Sequence, residues 1–149
     1  MQKIHSIVLV LFLLLLGSTL VACNSPDPNL TVVSRILNDS TKSGFYIDDP
    51  SWPNVLYQVK DKSVIPLLLD YLRQMKASKT GYYLSALGTT IGYLRKVTGI
   101  ESHTHHDIAG TRYYTDEEWE TDLQRWQTWW ETNQDRIEWD YQAGALKVR

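Results

Sequence analysis

Cysteine is almost absent from this chain of 149 residues, and its one copy, Cys23, follows a hydrophobic run near the N-terminus. A single thiol excludes a disulfide framework and a zinc site built from cysteines. Motifs of fixed spacing are missing too: there is no Gly-x-Ser-x-Gly, no Gly-x-x-x-x-Gly-Lys and no Gly-x-Gly-x-x-Gly. The sequence therefore predicts no enzyme.

An excess of positive charge is also lacking. Fifteen Lys and Arg face seventeen Asp and Glu, a formal net charge of -2, which argues against a protein that binds nucleic acid. The charge is unevenly spread, since residues 24–100 carry nine basic and six acidic side chains and residues 101–149 carry five and eleven. The acidic C-terminal third is therefore a candidate face for a basic partner.

Long hydrophobic runs are limited to Ile7–Leu16, which follows the basic residue Lys3. Ten helical residues span only ~15 Å, about half of the hydrocarbon core of a bilayer. The length and the flanking charge are typical of a cleaved signal sequence. An uncleaved N-terminal helix over Ile4–Ala22 and an ordinary secretory signal are the alternatives.

The run ends in a short motif that resembles the lipobox of bacterial lipoproteins, Leu20-Val21-Ala22-Cys23. The resemblance implies cleavage before Cys23, a diacylglyceryl group on its thiol and acylation of the new N-terminus, and such multiple chains give stable anchoring. It also implies the outer membrane where the organism has one, because Asn24 rather than Asp follows the cysteine. The expected organisation is a signal peptide over residues 1–22, a lipidated tether over 23–29 and a single α-helical domain over 30–149.

Helical periodicity governs most of the mature chain. Apolar spacing predicts a helix that starts near Asp27 and Pro28 and ends near Asn38, followed by a loop over residues 38–44. Further helices are predicted over 63–76, 82–98 and 115–133, while 55–59 fits either a helical turn or a strand. Alternation over residues 136–148 predicts a small β-hairpin. The predicted fold class is mainly α, with helical-hairpin packing and a C-terminal β-hairpin.

The helix over 115–133 has the strongest signals. Thr115 and Glu118 form a capping box, and its apolar stripe predicts a buried face formed by Trp119, Leu123, Trp126 and Trp130. Its acidic residues Glu117, Glu118, Glu120 and Asp122 are interpreted as a solvated face, not as an acid/base pair. In the preceding helix, Gly88 and Gly92 predict close approach by a neighbouring helix.

Two stretches resemble HEAT-like repeat proteins. The segment Asp61-Lys-Ser-Val-Ile-Pro-Leu-Leu-Leu-Asp70-Tyr-Leu is similar to the second helix and turn of such repeats. The combination Leu94-x-x-x-Thr98-Gly99 and Trp126-x-x-Trp129-Trp130-x-x-Asn133 is similar to the terminal segment of bacterial members. The resemblance covers about residues 55–135 and implies an interaction scaffold, although the chain is too short for a long solenoid.

One polar cluster combines residue types that bind metal ions: His103, His105, His106 and Asp107. In an extended segment His103 and His105 point to the same side, so both imidazoles could bind Zn²⁺, Ni²⁺ or Cu²⁺ while Asp107 adds an oxygen ligand. The alternative is a solvated, pH-sensitive loop without metal.

Two tryptophans lie off the predicted core stripe. Trp129 is about 100° from Trp130 around its helix, and Trp52 lies in a loop bracketed by prolines. Both are expected to be partly exposed contact aromatics, which could bind a glycan such as peptidoglycan, with ordinary packing as the alternative.

Together these patterns predict a lipid-anchored protein of the bacterial cell envelope. It would face the periplasm from the outer membrane in a Gram-negative organism and act as a non-catalytic module that binds another envelope protein. The alternatives are an envelope metal-binding protein, with zinc as the possible cofactor, and a glycan binder.

Overall fold

In the computed structural model, which describes residues 26–78, 85–107, 110–113 and 115–149, five α-helices account for most of the described residues. The helices are α1 (Pro28–Lys42), α2 (Trp52–Tyr57), α3 (Val64–Ser78), α4 (Ser85–Thr98) and α5 (Asp116–Asn133). Two short antiparallel hairpins accompany them: β1 (His105–Asp107) with β2 (Gly110–Arg112), and β3 (Ile137–Asp140) with β4 (Ala145–Val148). The fold is therefore mainly α with a C-terminal β-hairpin, as the sequence predicts.

Helix α1 begins where the sequence predicts but ends one turn later. It begins at Pro28, where the Asp27 side chain caps it by accepting the Asn29 N–H, so part of the expected tether belongs to the fold. The predicted loop from residue 38 is wrong, because the helix continues to Lys42. Its polar last turn is held by packing: Ser40 is buried and its hydroxyl lies 2.7 Å from the Tyr71 hydroxyl of α3.

Helix α4 lies at the centre of the fold and packs against α2, α3, α5, β2 and β4. Its two glycines meet different neighbours. A Cβ on Gly92 would lie 3.3 Å from the Tyr57 hydroxyl of α2, so the neighbour there is the end of a side chain from an adjacent helix. A Cβ on Gly88 would lie 2.8 Å from Thr111 Oγ1, so that neighbour is a strand residue and not a helix.

Helix α5 supplies the aromatic part of the core and packs mainly on α3. The predicted capping box is present, with Thr115 and Glu118 each accepting a hydrogen bond from the backbone N–H of the other. Trp119 and Trp126 are fully buried, which confirms the predicted stripe. Trp130 is half-buried and packs against the core, so the predicted stripe reaches it with less complete burial.

The C-terminal hairpin closes over α4 through β4. Ile137 pairs with Val148 and Trp139 with Leu146, and the side chains of Ile137 and Leu146 enter the core. None of the helices in the described ranges has the length and apolar composition needed to cross a membrane.

Candidate functional site

A buried carboxylate on α5 organises the histidine segment. Asp122 is completely shielded from solvent, so its interpretation as part of a solvated face is wrong. The helical period explains the burial, because Asp122 lies three residues after Trp119 and four before Trp126, on the face that enters the core. An ionised carboxylate in such a place needs compensating donors.

Asp122 has four such donors. Oδ2 accepts the backbone N–H of His103 at 2.7 Å and the hydroxyl of Tyr113 at 3.0 Å. Oδ1 lies 2.7 Å from Nδ1 of His103 and 3.4 Å from Nη1 of Arg125. One carboxylate therefore fixes the segment after α4, the residue after β2 and helix α5 to one another.

Tyr113 is the most deeply buried donor of this group. It is 2 % exposed, and its ring stacks on Trp119 with 5.0 Å between the centroids. Burial raises the pKa of Tyr113 far above its ordinary value, and the adjacent negative charge of Asp122 raises the pKa further. The hydroxyl therefore stays protonated and donates to Asp122 at every physiological pH.

The carboxylate also defines the tautomer of His103. A neutral imidazole that faces a carboxylate through Nδ1 carries its proton there and leaves Nε2 as an acceptor or a metal ligand. The His103 side chain is 45 % exposed, although its partner carboxylate is fully buried. This arrangement orients one exposed imidazole on a rigid support.

The other two histidines of the predicted cluster have partners of their own. Nε2 of His105 lies 3.4 Å from Oε1 of Glu118, one helical turn before Asp122. Nδ1 of His106 lies 2.9 Å from the Thr111 hydroxyl on β2. His103 and His105 thus both face α5, as strand alternation predicts, while His106 contacts the opposite strand.

The structure therefore does not bring the whole predicted cluster together. Asp107 pairs with Gly110 through the backbone of the β1–β2 hairpin, and its side chain lies outside the described residues. Among the residues that the structure describes, no group of three or more His, Cys, Asp or Glu side chains is placed to hold a metal ion.

A second feature of α5 is an open, mainly apolar groove of about 440 Å³ beside Trp129. Trp129 is half-buried, as predicted. The groove is lined by Ile100, Gln124, Arg125, Thr128, Trp129, Thr132 and Asn133. Arg125 also donates to the Glu101 carbonyl oxygen at 3.0 Å, so one wall of the groove belongs to the network around Asp122.

The other contact aromatic suggested by the sequence does not have the expected exposure. Trp52 is 2 % exposed, because Pro53 lies in the first turn of α2 instead of breaking a loop, and the indole enters the core. Cys23 lies outside the described residues. The expectation for its lipid therefore stays a prediction.

Sequence reasoning missed two residues of this site, Asp122 and Tyr113. A signal for Asp122 was present in its position between Trp119 and Trp126 on one helical face. Tyr113 had no local signal, since its partner lies nine residues away on another element. Comparison with protein-family models, with curated proteins and with solved structures finds no match for this chain.

Proposed function

We propose that this protein is a lipid-anchored protein of the bacterial cell envelope that acts as a non-catalytic interaction module. The observation that carries the proposal is the apolar groove beside Trp129, because a half-buried tryptophan in a shallow groove is typical of an interaction hot spot. The lipobox at Cys23 supports the anchoring, and the resemblance of residues 55–135 to HEAT-like proteins supports the binding role.

The charge of α5 indicates the kind of partner. Apart from the buried Asp122, the helix carries five acidic side chains and only one basic one, Arg125, which lines the groove. We therefore assign the groove to a basic segment of another envelope protein that inserts an apolar side chain beside Trp129. Electrostatic complementarity of this kind accelerates association and makes it sensitive to salt.

Site-specific photo-crosslinking in the cells that produce the protein tests this proposal. p-Benzoylphenylalanine in place of Thr128 in the groove should give one discrete adduct, which weakens with Trp129→Ala and with added salt. The matched control places the same group at Gln74, which is exposed on α3. The proposal is wrong if Thr128 gives no adduct, or if Gln74 gives the same one. Incorporation of labelled palmitate, abolished by Cys23→Ser, tests the anchor separately.

Metal binding is a second candidate function, favoured by the carboxylates behind two imidazoles. A histidine that binds a metal ion usually donates a hydrogen bond from its other ring nitrogen to a carboxylate. Asp122 and Glu118 are the carboxylates beside His103 and His105. These two histidines would bind Zn²⁺, Ni²⁺ or Cu²⁺ together with water or a further ligand.

Thermal melting after chelation, and then with each metal ion, tests the second candidate. At a hundred times its dissociation constant the ion should stabilise the fold by ~2.7 kcal/mol. The shift should disappear in the variant with both His103→Ala and His105→Ala and should persist in His106→Ala, whose imidazole faces β2. A shift that is absent, or that depends on His106 alone, contradicts this site.

A further inference from the structure

A surface cluster of one cation and two aromatic rings, one of which packs partly against the core, lies apart from both sites on α5. We name Lys60, Trp139 and Tyr141 the aromatic cluster. The ammonium nitrogen of Lys60 lies 5.8 Å from the ring centroid of Trp139 and 5.4 Å from that of Tyr141. Tyr141 is 81 % exposed, and Trp139 is half-buried on β3. An exposed ring beside a second, partly exposed ring is a candidate contact surface.

The aromatic cluster lies beside the point where the described chain begins. Asp27 Oδ2 accepts the backbone N–H of Lys60 at 2.5 Å and that of Asp61 at 3.3 Å. The Asn29 side chain adds a hydrogen bond of 3.2 Å to the Gln58 carbonyl oxygen. The start of α1 is therefore fixed to the same backbone segment that carries Lys60.

The length of chain before this point limits its distance from the bilayer. Cys23 precedes Asp27 by four residues, and four fully extended residues reach at most ~14 Å. A lipid on Cys23 enters the bilayer at the headgroup level, where each polar layer is roughly 5–8 Å thick. The surface around Asp27 must therefore remain close to the headgroups.

We propose that the aromatic cluster is a membrane-contact surface, which seats the domain on the headgroup layer of the bilayer that holds the Cys23 lipid. The inference rests on the proposed lipid anchor. Tryptophan and tyrosine are enriched at membrane interfaces because their rings are apolar and one end is polar. Lysine suits the same depth, since its stem packs on apolar surface while its ammonium group reaches lipid phosphates.

The charges around the hairpin permit this contact. The Asp140 carboxylate lies 2.8 Å from the Lys147 ammonium, and Glu138 pairs with Arg149. Both acidic side chains of the hairpin are thus paired with a nearby cation, and Lys60 adds a positive charge. The carboxylates of Asp27 and Asp61 lie beside Lys60 and accept backbone N–H groups. The contact therefore relies on the aromatic rings and not on a net positive charge.

Quenching of tryptophan fluorescence tests the seating in the full lipidated protein. The protein is reconstituted into vesicles of equal amounts of phosphatidylcholine and phosphatidylglycerol, in which the phosphatidylcholine carries bromine near the headgroup. We expect quenching in the wild type, loss of most of it in Trp139→Phe, and no loss in the matched variant Trp129→Phe. Quenching that Trp139→Phe leaves unchanged overturns the proposal.

A second pair of variants tests the same contact at exposed tyrosines, whose substitution does not disturb the packing of the C-terminal hairpin on the core. Tyr141→Ser replaces the most exposed ring and should reduce quenching without changing the melting temperature. Tyr46→Ser replaces another exposed tyrosine, which is 54 % exposed, and should leave quenching unchanged. Equal effects of the two substitutions contradict a specific seat at the hairpin.

Incorporation of labelled palmitate distinguishes failure of the membrane-contact proposal from failure of the lipid-anchor proposal. Label on the wild type but not on Cys23→Ser, together with unquenched tryptophan, refutes the seating and leaves the anchor standing. Absence of label on the wild type refutes the anchor and, with it, the seating.

Discussion

Asp122→Ala should be among the most destabilising single substitutions in this protein. The change removes a fully buried carboxylate and leaves the backbone N–H of His103 and the hydroxyl of Tyr113 without their acceptor. A buried donor left unpaired costs ~1–3 kcal/mol, so the two donors together give a loss of ~2–6 kcal/mol. We expect a loss in that range, measured as the free energy of unfolding in urea.

The isosteric variant separates charge from shape. Asp122→Asn keeps one oxygen for the His103 N–H and the Tyr113 hydroxyl, and its amide NH₂ can donate to Nδ1 of His103 once the imidazole changes tautomer. Arg125 keeps its bond to the backbone. We therefore expect a smaller loss of ~1–3 kcal/mol. The control Glu117→Ala, at an exposed position of the same helix, should change stability by less than about 1 kcal/mol.

The order of these three values tests the reasoning. A loss below about 1 kcal/mol for Asp122→Ala would falsify the view that the carboxylate holds the segment around His103 to α5. Equal losses for the alanine and asparagine variants would refute the assignment of the cost to unpaired donors.

Three further predictions follow from packing and charge. Trp126→Ala should cost ~3–5 kcal/mol in urea unfolding, because the indole is fully buried and the change leaves a cavity; a value near zero would remove Trp126 from the core. Gly88→Ala should destabilise the fold by ~1–3 kcal/mol, because the added methyl group would lie 2.8 Å from Thr111 Oγ1 on β2. Gly92→Ala should be neutral or stabilising, because its nearest neighbour, the Tyr57 hydroxyl at 3.3 Å, ends a side chain and alanine has the higher helix propensity. The pKa of Asp140 is lowered from 3.8 to about 2 by its bond to Lys147 and by two turn N–H groups. The ionised carboxylate therefore contributes fully to stability above its pKa in the unfolded chain, and this contribution is lost as the pH falls toward 2. Asp140→Asn should therefore flatten the pH dependence of unfolding in that window, and an unchanged acid limb would contradict the assignment.

Features determined by neighbours in sequence were predictable. The capping box joins Thr115 to Glu118 across one turn, and the alternation that predicts β3 and β4 needs no partner other than the hairpin itself. Helix α4 and the burial of Trp119 follow from the helical period alone. These signals are local, so packing elsewhere does not alter them.

Features that depend on distant partners were missed or misjudged. Asp122 was interpreted as solvated because the partner that compensates its charge, His103, lies nineteen residues earlier. The polar end of α1 was interpreted as loop because the bond from Ser40 to Tyr71 spans thirty-one residues. Exposure of Trp52 was expected from its prolines, but Pro53 suits the first turn of a helix.

The two candidate sites on α5 share one residue, Arg125. This residue lines the groove beside Trp129 and also bonds Asp122 and the backbone of residue 101. Asp122 in turn orients His103. A metal ion bound to His103 would therefore be supported by the same carboxylate that contacts Arg125 in the wall of the groove. A partner protein and a metal ion should therefore influence each other's affinity reciprocally. If Zn²⁺ binds, it should change the yield of the crosslink from position 128 in the wild type but not in the variant that lacks both His103 and His105. The contrary result is that Zn²⁺ raises the melting temperature but leaves the crosslink yield unchanged. The groove and the histidine site would then act independently.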